Sequence, residues 1–349
     1  MKYPILYLVL LLTISACSIL GEKSLVYPTA NNLVWKEYAV SSSVRAIEVV
    51  DENTVWFTGS KGQIGYTEDA GKTWVIDSLK VDSLNLEFRS IAVTGNSVLI
   101  LSVASPALLF ESSDKGKHWN LVYKEEDPKV FYDAMTFWDD QNGIAIGDPT
   151  DGCLSIIITR DGGKSWSKLS CDRLPASTEG EAAFAASNTN VVTYGDHAWI
   201  VTGGASARVF KSLDKGENWS VYNTPIAQGG KMTGIFSVDF FNEKEGIIFG
   251  GNWEDKSDFK KSKALTTDGG KSWNLIDGKP GYMSCVQYIP GTKGGGIIAC
   301  GSEGLAISKD GGQHWDVISD KGFYSIRMER SGTFAWLSGN NKIGLLKWE

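Results

Sequence analysis

Arginine, tyrosine and carboxylate side chains occur early in several short β-rich segments of the chain. Arg45 in SVRAIEV and Arg89 in EFRSIAV occupy equivalent early positions, and FYSIRME contributes Tyr324 and Arg327. Guanidinium groups bind carboxylates through paired N–H donors, whereas tyrosine and acidic side chains can act at a glycosidic centre. These residue types therefore indicate an anion-binding or sugar-binding site, provided that the fold gathers the segments around one centre.

Three further candidates lie in comparable segments: Asp133 in VFYDAMTF, Glu181 in EAAFAAS, and Arg208 just after GGASA. Together with the four residues above, they would form a funnel of mixed charge with an aromatic lining. The alternative is that these side chains pair with one another in a solvated channel and only hold the surrounding strands together. The residues alone assign no catalytic role to any of them.

The elements that must position these side chains are marked by a repeated phrase with the pattern [ST]xDxGxxW. It occurs six times, and its aspartates are Asp69, Asp114, Asp161, Asp214, Asp268 and Asp310, 42 to 54 residues apart. Within the phrase the aspartate accepts backbone N–H bonds, the glycine allows a positive φ, and the Ser or Thr hydroxyl adds a local bond. This is the chemistry of a tight turn.

Each copy follows three short β-rich segments and precedes a fourth, as in SVRAIEVV, TVWFTGS, QIGYTED and KTWVID. Four strands in a period of this length are typical of one blade of a β-propeller. The C-terminal segments FYSIRMER, TFAWLSG and KIGLLKWE lack a fourth strand, which LVWKEYAV at residues 33–40 would supply. We therefore predict an all-β, seven-bladed propeller of four-stranded antiparallel blades over residues 31–349, its ring closed by the N-terminal strand.

The repeated phrase resembles the Asp-box (BNR) repeat, and the resemblance covers nearly all of residues 31–349. In that family the box is a surface turn between the third and fourth strands, away from the ligand-binding face. The resemblance therefore implies a structural role for the six boxes. It also implies that a ligand would bind at the face where the innermost strands begin.

Two branches of this family suggest two functions. Propellers of the photosystem II stability and assembly factor type are exported and engage partner proteins through an arginine-rich face, and the VRAI and FRSI segments look similar to theirs. Sialidases combine an arginine triad, a Tyr–Glu pair and an acidic proton donor, and the matching residues would be Arg45, Arg89, Arg327, Tyr324, Glu181 and Asp133. The sialidase Arg-Ile-Pro element is absent, because VRAIEV stands in its place. We expect a binding or assembly scaffold for a protein or glycan, with a sialidase-like glycoside hydrolase as the alternative.

The N-terminus resembles an export signal. Lys2 precedes an apolar run from Tyr3 to Ile14, and the following ISAC places small residues before Cys17, as in a bacterial lipobox. We predict a signal peptide over 1–17 that is lipidated at Cys17, and a tether over 18–30. The alternative is ordinary signal cleavage beside an uninvolved cysteine. The lipoprotein reading predicts membrane anchoring through the lipid, facing the periplasm or the cell surface.

The other four cysteines form two symmetric pairs. Cys153 and Cys171 are equidistant from Gly162 in a predicted hairpin turn, and Cys285 and Cys300 flank the turn-like PGTKGG. Antiparallel pairing would place each pair across from one another, so two cross-strand disulfides are one interpretation for an exported protein. The other is that these cysteines are small buried hydrophobic residues, because directly opposed positions often have poor disulfide geometry.

Composition and motifs exclude several classes of function. The net charge of −7, with 34 basic residues scattered among 41 acidic ones, argues against nucleic-acid binding. The three histidines, His118, His197 and His314, do not support a histidine triad or a histidine zinc site. No cofactor motif is present, and we expect a monomer without a cofactor.

Two predicted loops between second and third strands, 147–153 and 251–264, are expected to shape the mouth of the channel, and the second carries Trp253. Asp148 and Asp151 in the first loop lack the ordered spacing of a cation site. We predict a solvated turn there and no metal.

Overall fold

A computed structural model describes residues 26–95 and 97–349. The predicted signal peptide with Cys17, and the tether up to residue 25, lie outside the described residues. The described part contains β-strands and one short 3₁₀ helix, Cys171–Arg173. The strands are β1 Leu33–Val49, β2 Val55–Gly59, β3 Gln63–Thr67, β4 Val75–Ser78, β5 Phe88–Thr94, β6 Ser97–Ser102, β7 Ala107–Ser112, β8 Asn120–Glu125, β9 Tyr132–Phe137, β10 Gly143–Pro149, β11 Leu154–Thr159, β12 Ser167–Lys168, β13 Glu181–Ala182, β14 Val191–Tyr194, β15 His197–Val201, β16 Gly203–Gly204, β17 Arg208–Ser212, β18 Ser220–Asn223, β19 Thr233–Phe240, β20 Gly246–Asn252, β21 Lys263–Thr266, β22 Asn274–Leu275, β23 Cys285–Tyr288, β24 Ile297–Gly301, β25 Gly304–Ser308, β26 Asp316–Ser319, β27 Ser325–Met328 and β28 Phe334–Trp348.

The middle strands of each sheet are buried on both faces because neighbouring sheets pack against them. Every residue of β2 (VWFTG), β7 (ALLFES) and β11 (LSIIIT) is buried, whereas every residue of the outer strand β4 is exposed. Branched and aromatic side chains favour such pleated, packed surfaces. The core is therefore a series of apolar layers between sheets. None of the described residues belongs to a helix long and apolar enough to cross a membrane.

The strands form an all-β propeller of antiparallel sheets built on four-stranded units. Four sheets have four strands each, in the orders β5-β6-β7-β8, β12-β11-β10-β9, β14-β15-β17-β18 and β23-β24-β25-β26. Two have six strands, in the orders β27-β28-β1-β2-β3-β4 and β13-β16-β19-β20-β21-β22. In the latter, two-residue strands extend the unit β19–β22.

The prediction of seven blades is wrong, because the described residues form six sheets. The reason is that β1 and β28 are long strands that continue through irregularities. Within β1, residues 33–39 pair with residues 342–348 of β28, and residues 44–49 pair with β2. The strands expected in the first and last blades are therefore joined in one sheet. The N-terminal strand does pair with the C-terminal strand as the sequence indicated.

The six Asp boxes are turns that connect the last two strands of a four-stranded unit. In residues 212–219, the Ser212 hydroxyl donates to Asp214 Oδ1 at 2.9 Å, and the Gly216 and Asn218 N–H groups donate to Ser212 Oγ and Asp214 Oδ1 at 2.8 and 2.9 Å. The same three bonds recur in the other five boxes. In the first box, the bond from the Thr73 N–H lowers the pKa of Asp69 to about 2. The box aspartates are thus engaged by their own turns.

The two cysteine pairs differ in state. Cys153 and Cys171 form a disulfide bond with their Cα atoms 5.6 Å apart. Cys285 and Cys300 lie directly opposite each other in β23 and β24, but both are buried free thiols. The first pair therefore follows the disulfide interpretation, and the second follows the interpretation as small buried residues.

The seam between β1 and β28 provides a test of ring closure. Removing residues 31–40 would delete seven register pairs and the stacking of Trp35 on Phe323, whose ring centroids are 5.8 Å apart. We expect the thermal midpoint to fall by roughly 10 °C or more, since several kcal/mol are lost from a chain of this size. Circular dichroism melting would measure it, with a chain beginning at residue 26 as the control. An unchanged midpoint would refute a structural role for the seam.

Candidate binding site at the channel mouth

The first strands of successive units surround a central channel. β1, β5, β9, β14, β19, β23 and β27 contact one another in this order, and β27 contacts β1 again. These strands all run in the same direction along the channel axis. Their first residues therefore meet at one end of the channel and their last residues at the other. Early strand positions therefore define one mouth.

An irregular segment, residues 183–190, fills the channel, and we call it the plug. We expected the β-rich segment EAAFAAS to line the channel as a strand, and this is wrong, because only Glu181 and Ala182 form a strand, β13, after which the chain turns into the channel. All plug residues except the half-buried Phe184 are buried. Small alanine and serine side chains allow the plug backbone to approach the surrounding strands closely.

Polar bonds attach the plug to the strands around it. Asn188 Oδ1 accepts the Met135 N–H at 2.9 Å, and Asn188 Nδ2 donates to the Ile91 carbonyl at 3.0 Å. The Ser187 hydroxyl donates to the Ser284 carbonyl at 2.6 Å, and the Thr189 carbonyl accepts the Val238 N–H at 2.9 Å. The plug is therefore bonded to several units at once.

Arg327 belongs to the plug contacts and not to the mouth. Its guanidinium donates to the carbonyls of Ser187 at 3.1 Å and Asn188 at 2.9 Å, and also to Ile326 O and Ser325 Oγ, both at 3.0 Å. The residue is only 8% exposed. Arg327 therefore has a structural role, and it does not join the other two arginines of the predicted triad.

Arg45 and Tyr324 do meet at the mouth, together with Arg89 and Phe131, and we call these four residues the arginine mouth. The Arg45 guanidinium lies over the Tyr324 ring, 4.3 Å from its centroid, and that of Arg89 lies 5.8 Å from the Phe131 centroid. Burial, and then the charge of Arg89, lower the pKa of Arg45. The two cations are thus close enough to repel each other.

Neighbouring carboxylates neutralise little of the positive charge of Arg45 and Arg89. Arg89 contacts Glu87, with 3.3 Å between Nη2 and Oε2. Within the described residues Arg45 forms no ion pair, and its one hydrogen bond is a 3.4 Å contact with the Ala186 carbonyl. A cavity of about 320 Å³ adjoins Arg89 and Phe131. The arrangement suits an anionic group that would bring its own acceptors.

Asp133 lies next to the mouth but is closed to it. The residue is fully buried, and neither carboxyl oxygen accepts a hydrogen bond from a described residue. Burial, and then the charge of Asp148, raise its pKa well above the ordinary value. Asp148 accepts the Ala183 N–H at 2.8 Å, and burial raises its pKa to about 6. Burial therefore favours the protonated form of both carboxyl groups.

Glu181 and Arg208 are brought together, but they satisfy each other. Glu181 Oε1 accepts from Arg208 Nε at 3.0 Å and from Thr202 Oγ1 at 2.6 Å, while Glu181 Oε2 accepts from the Thr178 N–H at 2.9 Å. A second guanidinium nitrogen of Arg208 also contacts Glu181. No hydrogen bond within the described chain joins Glu181 to Tyr324, so the Tyr–Glu pair of a sialidase is not assembled.

An aromatic cluster that the sequence patterns did not indicate lies next to Arg45. Phe184 stacks on Phe236 with centroids 4.0 Å apart, and Phe236 meets the edge of Tyr282 at 4.8 Å. Burial raises the pKa of Tyr282, and the charge of Arg45 offsets part of this rise. Phe184 lies in EAAFAAS, Phe236 lies in β19, and Tyr282 lies three residues before β23. Their aromatic character was the available signal.

The two loops that were predicted to shape the channel mouth, 147–153 and 251–264, make different contacts. The 251–264 loop exposes Trp253, and its Lys256 carbonyl accepts the Tyr282 N–H at 3.1 Å, so the loop reaches the segment before β23. In the other loop, Asp148 points its carboxylate at Ala183. The described residues contain no group of three His, Cys, Asp or Glu side chains that could hold a metal ion.

Replacing Asn188 tests the plug. Asn188→Gly keeps the left-handed backbone (φ 58°) but leaves the Met135 N–H and the Ile91 carbonyl unpaired. We expect the free energy of unfolding to fall by about 2–4 kcal/mol. Asn341→Gly is the matched control, because Asn341 has a φ of 56° at an exposed position within β28. Equal losses in urea unfolding of the two variants would contradict the role of the plug.

The buried carboxyl pair predicts a dependence of stability on pH. A folded-state pKa raised above the unfolded value gives a stability contribution that is present at low pH and lost as the pH rises through about 6. Asp148→Asn keeps the acceptor for the Ala183 N–H and removes the charge. Between about pH 4 and pH 7 the natural protein should lose about 2–3 kcal/mol of unfolding free energy relative to this variant. Urea unfolding at both pH values measures this, and parallel curves would disprove it.

Comparisons with known proteins agree with this architecture. A family model described as Photosynthesis system II assembly factor YCF48 matches residues 27–130. The solved structure of YCF48 bound to D1 peptide is 18% identical with a TM-score of 0.67, covering 93% of this chain and 99% of that one. YCF48 from Cyanidioschyzon merolae is 16% identical with a TM-score of 0.65, covering 90% and 98%.

A propeller from outside this family is also similar, since the RRP9 WD40 repeats share 12% identity and a TM-score of 0.64 over 92% of this chain and 99% of theirs. No curated protein sequence matches the chain. The chain is a β-propeller that resembles the photosystem II assembly factor type.

Proposed function

We propose that this protein is an exported, lipid-anchored scaffold whose arginine mouth binds an acidic segment of a partner protein. The observation that carries the proposal is the excess of positive charge at the mouth. Arg45 has no ion-pair partner in the described chain, and Arg89 has only the 3.3 Å contact with Glu87. A carboxylate from a partner would supply paired acceptors to these guanidinium groups.

The surroundings of the two arginines favour a peptide segment as the ligand. Tyr324 and Phe131 present ring faces beside the cations, and the adjoining cavity of about 320 Å³ offers room for a side chain. Stacking of Arg45 on Tyr324 restricts the guanidinium before binding, which lowers the entropic cost of ordering it. The mouth therefore combines a positioned charge with apolar contact area.

The comparisons support a protein ligand over a glycan. A similar propeller, YCF48, has been solved bound to D1 peptide, so a protein of this fold takes a peptide. No photosynthetic role is implied for this chain. Glycan hydrolysis is not proposed, because Arg327, Glu181 and Asp133 are engaged by the plug, by Arg208 and by burial.

The proposal of export and lipid anchoring is based on the N-terminal sequence pattern. The Cys153–Cys171 disulfide supports an oxidising compartment, and Cys17 would carry the lipid. Mass spectrometry of the mature N-terminus from the native bacterial host tests this. We expect an acylated Cys17 and release from the membrane fraction in Cys17→Ser, whereas an unmodified chain that begins after another residue would refute anchoring.

Fluorescence anisotropy with short labelled Gly–Ser peptides tests the mouth. One peptide carries two adjacent aspartates, one carries two lysines, and one is neutral. We expect the acidic peptide to bind at least about tenfold more tightly than the neutral one, and Arg45→Gln or Arg89→Gln to weaken it about tenfold. Arg160→Gln is the matched control, because Arg160 is paired with Glu217 at an Asp-box turn.

Other outcomes would overturn the proposal. Equal binding of all three peptides, or binding unaffected by both mouth variants, would exclude recognition of an acidic segment by these arginines. Saturable binding of sialyllactose in place of the acidic peptide, lost in Arg45→Gln, would replace the protein ligand by a glycan. Turnover of a fluorogenic α-sialoside would establish the hydrolase alternative.

A further inference from the structure

A second cavity, of about 300 Å³, lies at the other end of the channel, and we call it the lower cavity. The last residues of the first strands line its wall: Glu48, Thr136, Thr193, Asp239, Gln287 and Met328. Asn188 and Thr189 of the plug also line it. Because the plug separates the two ends of the channel, the lower cavity is distinct from the arginine mouth.

Two opposite charges on the wall of this cavity form no hydrogen bond or ion pair with the residues that the structure describes. Glu48 and Arg330 both line it, yet neither side chain makes a hydrogen bond, or an ion pair within 4.0 Å, to any residue in the described ranges. They are therefore too far apart to neutralise each other directly. A ligand that lies between them can contact both.

A second carboxyl group, that of Asp239, lines the cavity from β19, which is not a neighbour of β1 around the channel. Asp239 Oδ2 accepts the Tyr288 N–H at 2.6 Å and Asp239 Oδ1 accepts the Phe240 N–H at 3.0 Å, so the group cannot swing away. Each carboxylate oxygen has lone pairs for a further donor. Glu48, whose carboxylate has no hydrogen-bond partner among the described residues, thus provides the acceptor for an ammonium group.

The other residues that line the lower cavity indicate which class of ligand fits it. Arg327 also borders the cavity, but its donors are taken by the plug carbonyls, which leaves Arg330 as the cation with open donors. Glu48 and Arg330 are the open groups and carry opposite charges, whereas burial raises the pKa of Asp239 to about 7, so a simple cation or a simple anion would leave one of the two open groups without a partner. Val49, Val238 and Val286 add an apolar surface, and the volume is at the lower end for small-molecule sites.

We infer that the lower cavity binds a small zwitterion of the α-amino acid class, with its ammonium held by Glu48 and its carboxylate held by Arg330. This inference is independent of the proposed function, because it uses none of the four residues of the arginine mouth.

Isothermal titration calorimetry with each free L-amino acid tests the inference on the folded propeller. We expect at least one amino acid to bind. Its N-acetyl derivative, which lacks the ammonium, and its amide, which lacks the carboxylate, should each bind at least about tenfold more weakly.

Glu48→Gln and Arg330→Gln should each weaken binding of that amino acid about tenfold or more. Both side chains lack partners, so the melting temperature should stay unchanged and confirm that the variants fold. Glu52→Gln at an exposed turn and Arg160→Gln are the matched controls.

No binding by any free amino acid would overturn the inference. Equal binding of the blocked derivatives, or full affinity in both Gln variants, would also overturn it. Retained binding of the N-acetyl form alone would mean an anion site, which contradicts the zwitterion.

Discussion

The hydrogen bonds between the plug and the surrounding first strands are the interaction on which the rest of the structure depends. An irregular backbone in a water-poor channel is costly unless its polar groups are paired. Asn188 pairs with Met135 and Ile91, and the Arg327 guanidinium satisfies two plug carbonyls. The plug therefore joins the units at the centre, as the seam between β1 and β28 joins them at the outside. It also divides one channel into two ends with different chemistry.

The arginines near the channel axis fall into two groups, according to whether other residues accept hydrogen bonds from their guanidinium groups. Arg327 and Arg208 are buried or nearly buried, and their donors are satisfied by carbonyls or by Glu181. A buried charge is tolerated when it is paired in this way. Arg45 and Arg89 keep open donors at the edge of the solvent, where an incoming group can reach them. The same residue type thus stabilises the fold in two positions and is available for recognition in two others.

Much of the fold was predictable because its determinants are local. The Asp boxes depend on hydroxyl, carboxylate and glycine within eight residues, and their bonds recur in all six copies. The plug was not predictable, because EAAFAAS has the pattern of a strand and only tertiary contacts draw it into the channel. Arg327 was grouped with Tyr324 although three residues along a strand span about 10 Å, which places them at different levels of the channel. The predicted number of sheets was wrong because no local sequence pattern indicates that β1 continues from its pairing with β28 into its pairing with β2.

The seam also determines where the chain leaves the propeller. Leu33 pairs with Trp348, and the Trp348 indole donates to the Val26 carbonyl at 2.9 Å, so residue 26 and the C-terminus lie together on the side of the Asp-box turns. From Cys17 to Val26 an extended chain reaches about 30 Å at most. A lipid on Cys17 would therefore attach to the propeller on the face of the lower cavity, opposite the arginine mouth. The arginine mouth would then lie on the face of the propeller farther from the lipid, where partners in the aqueous compartment can reach it.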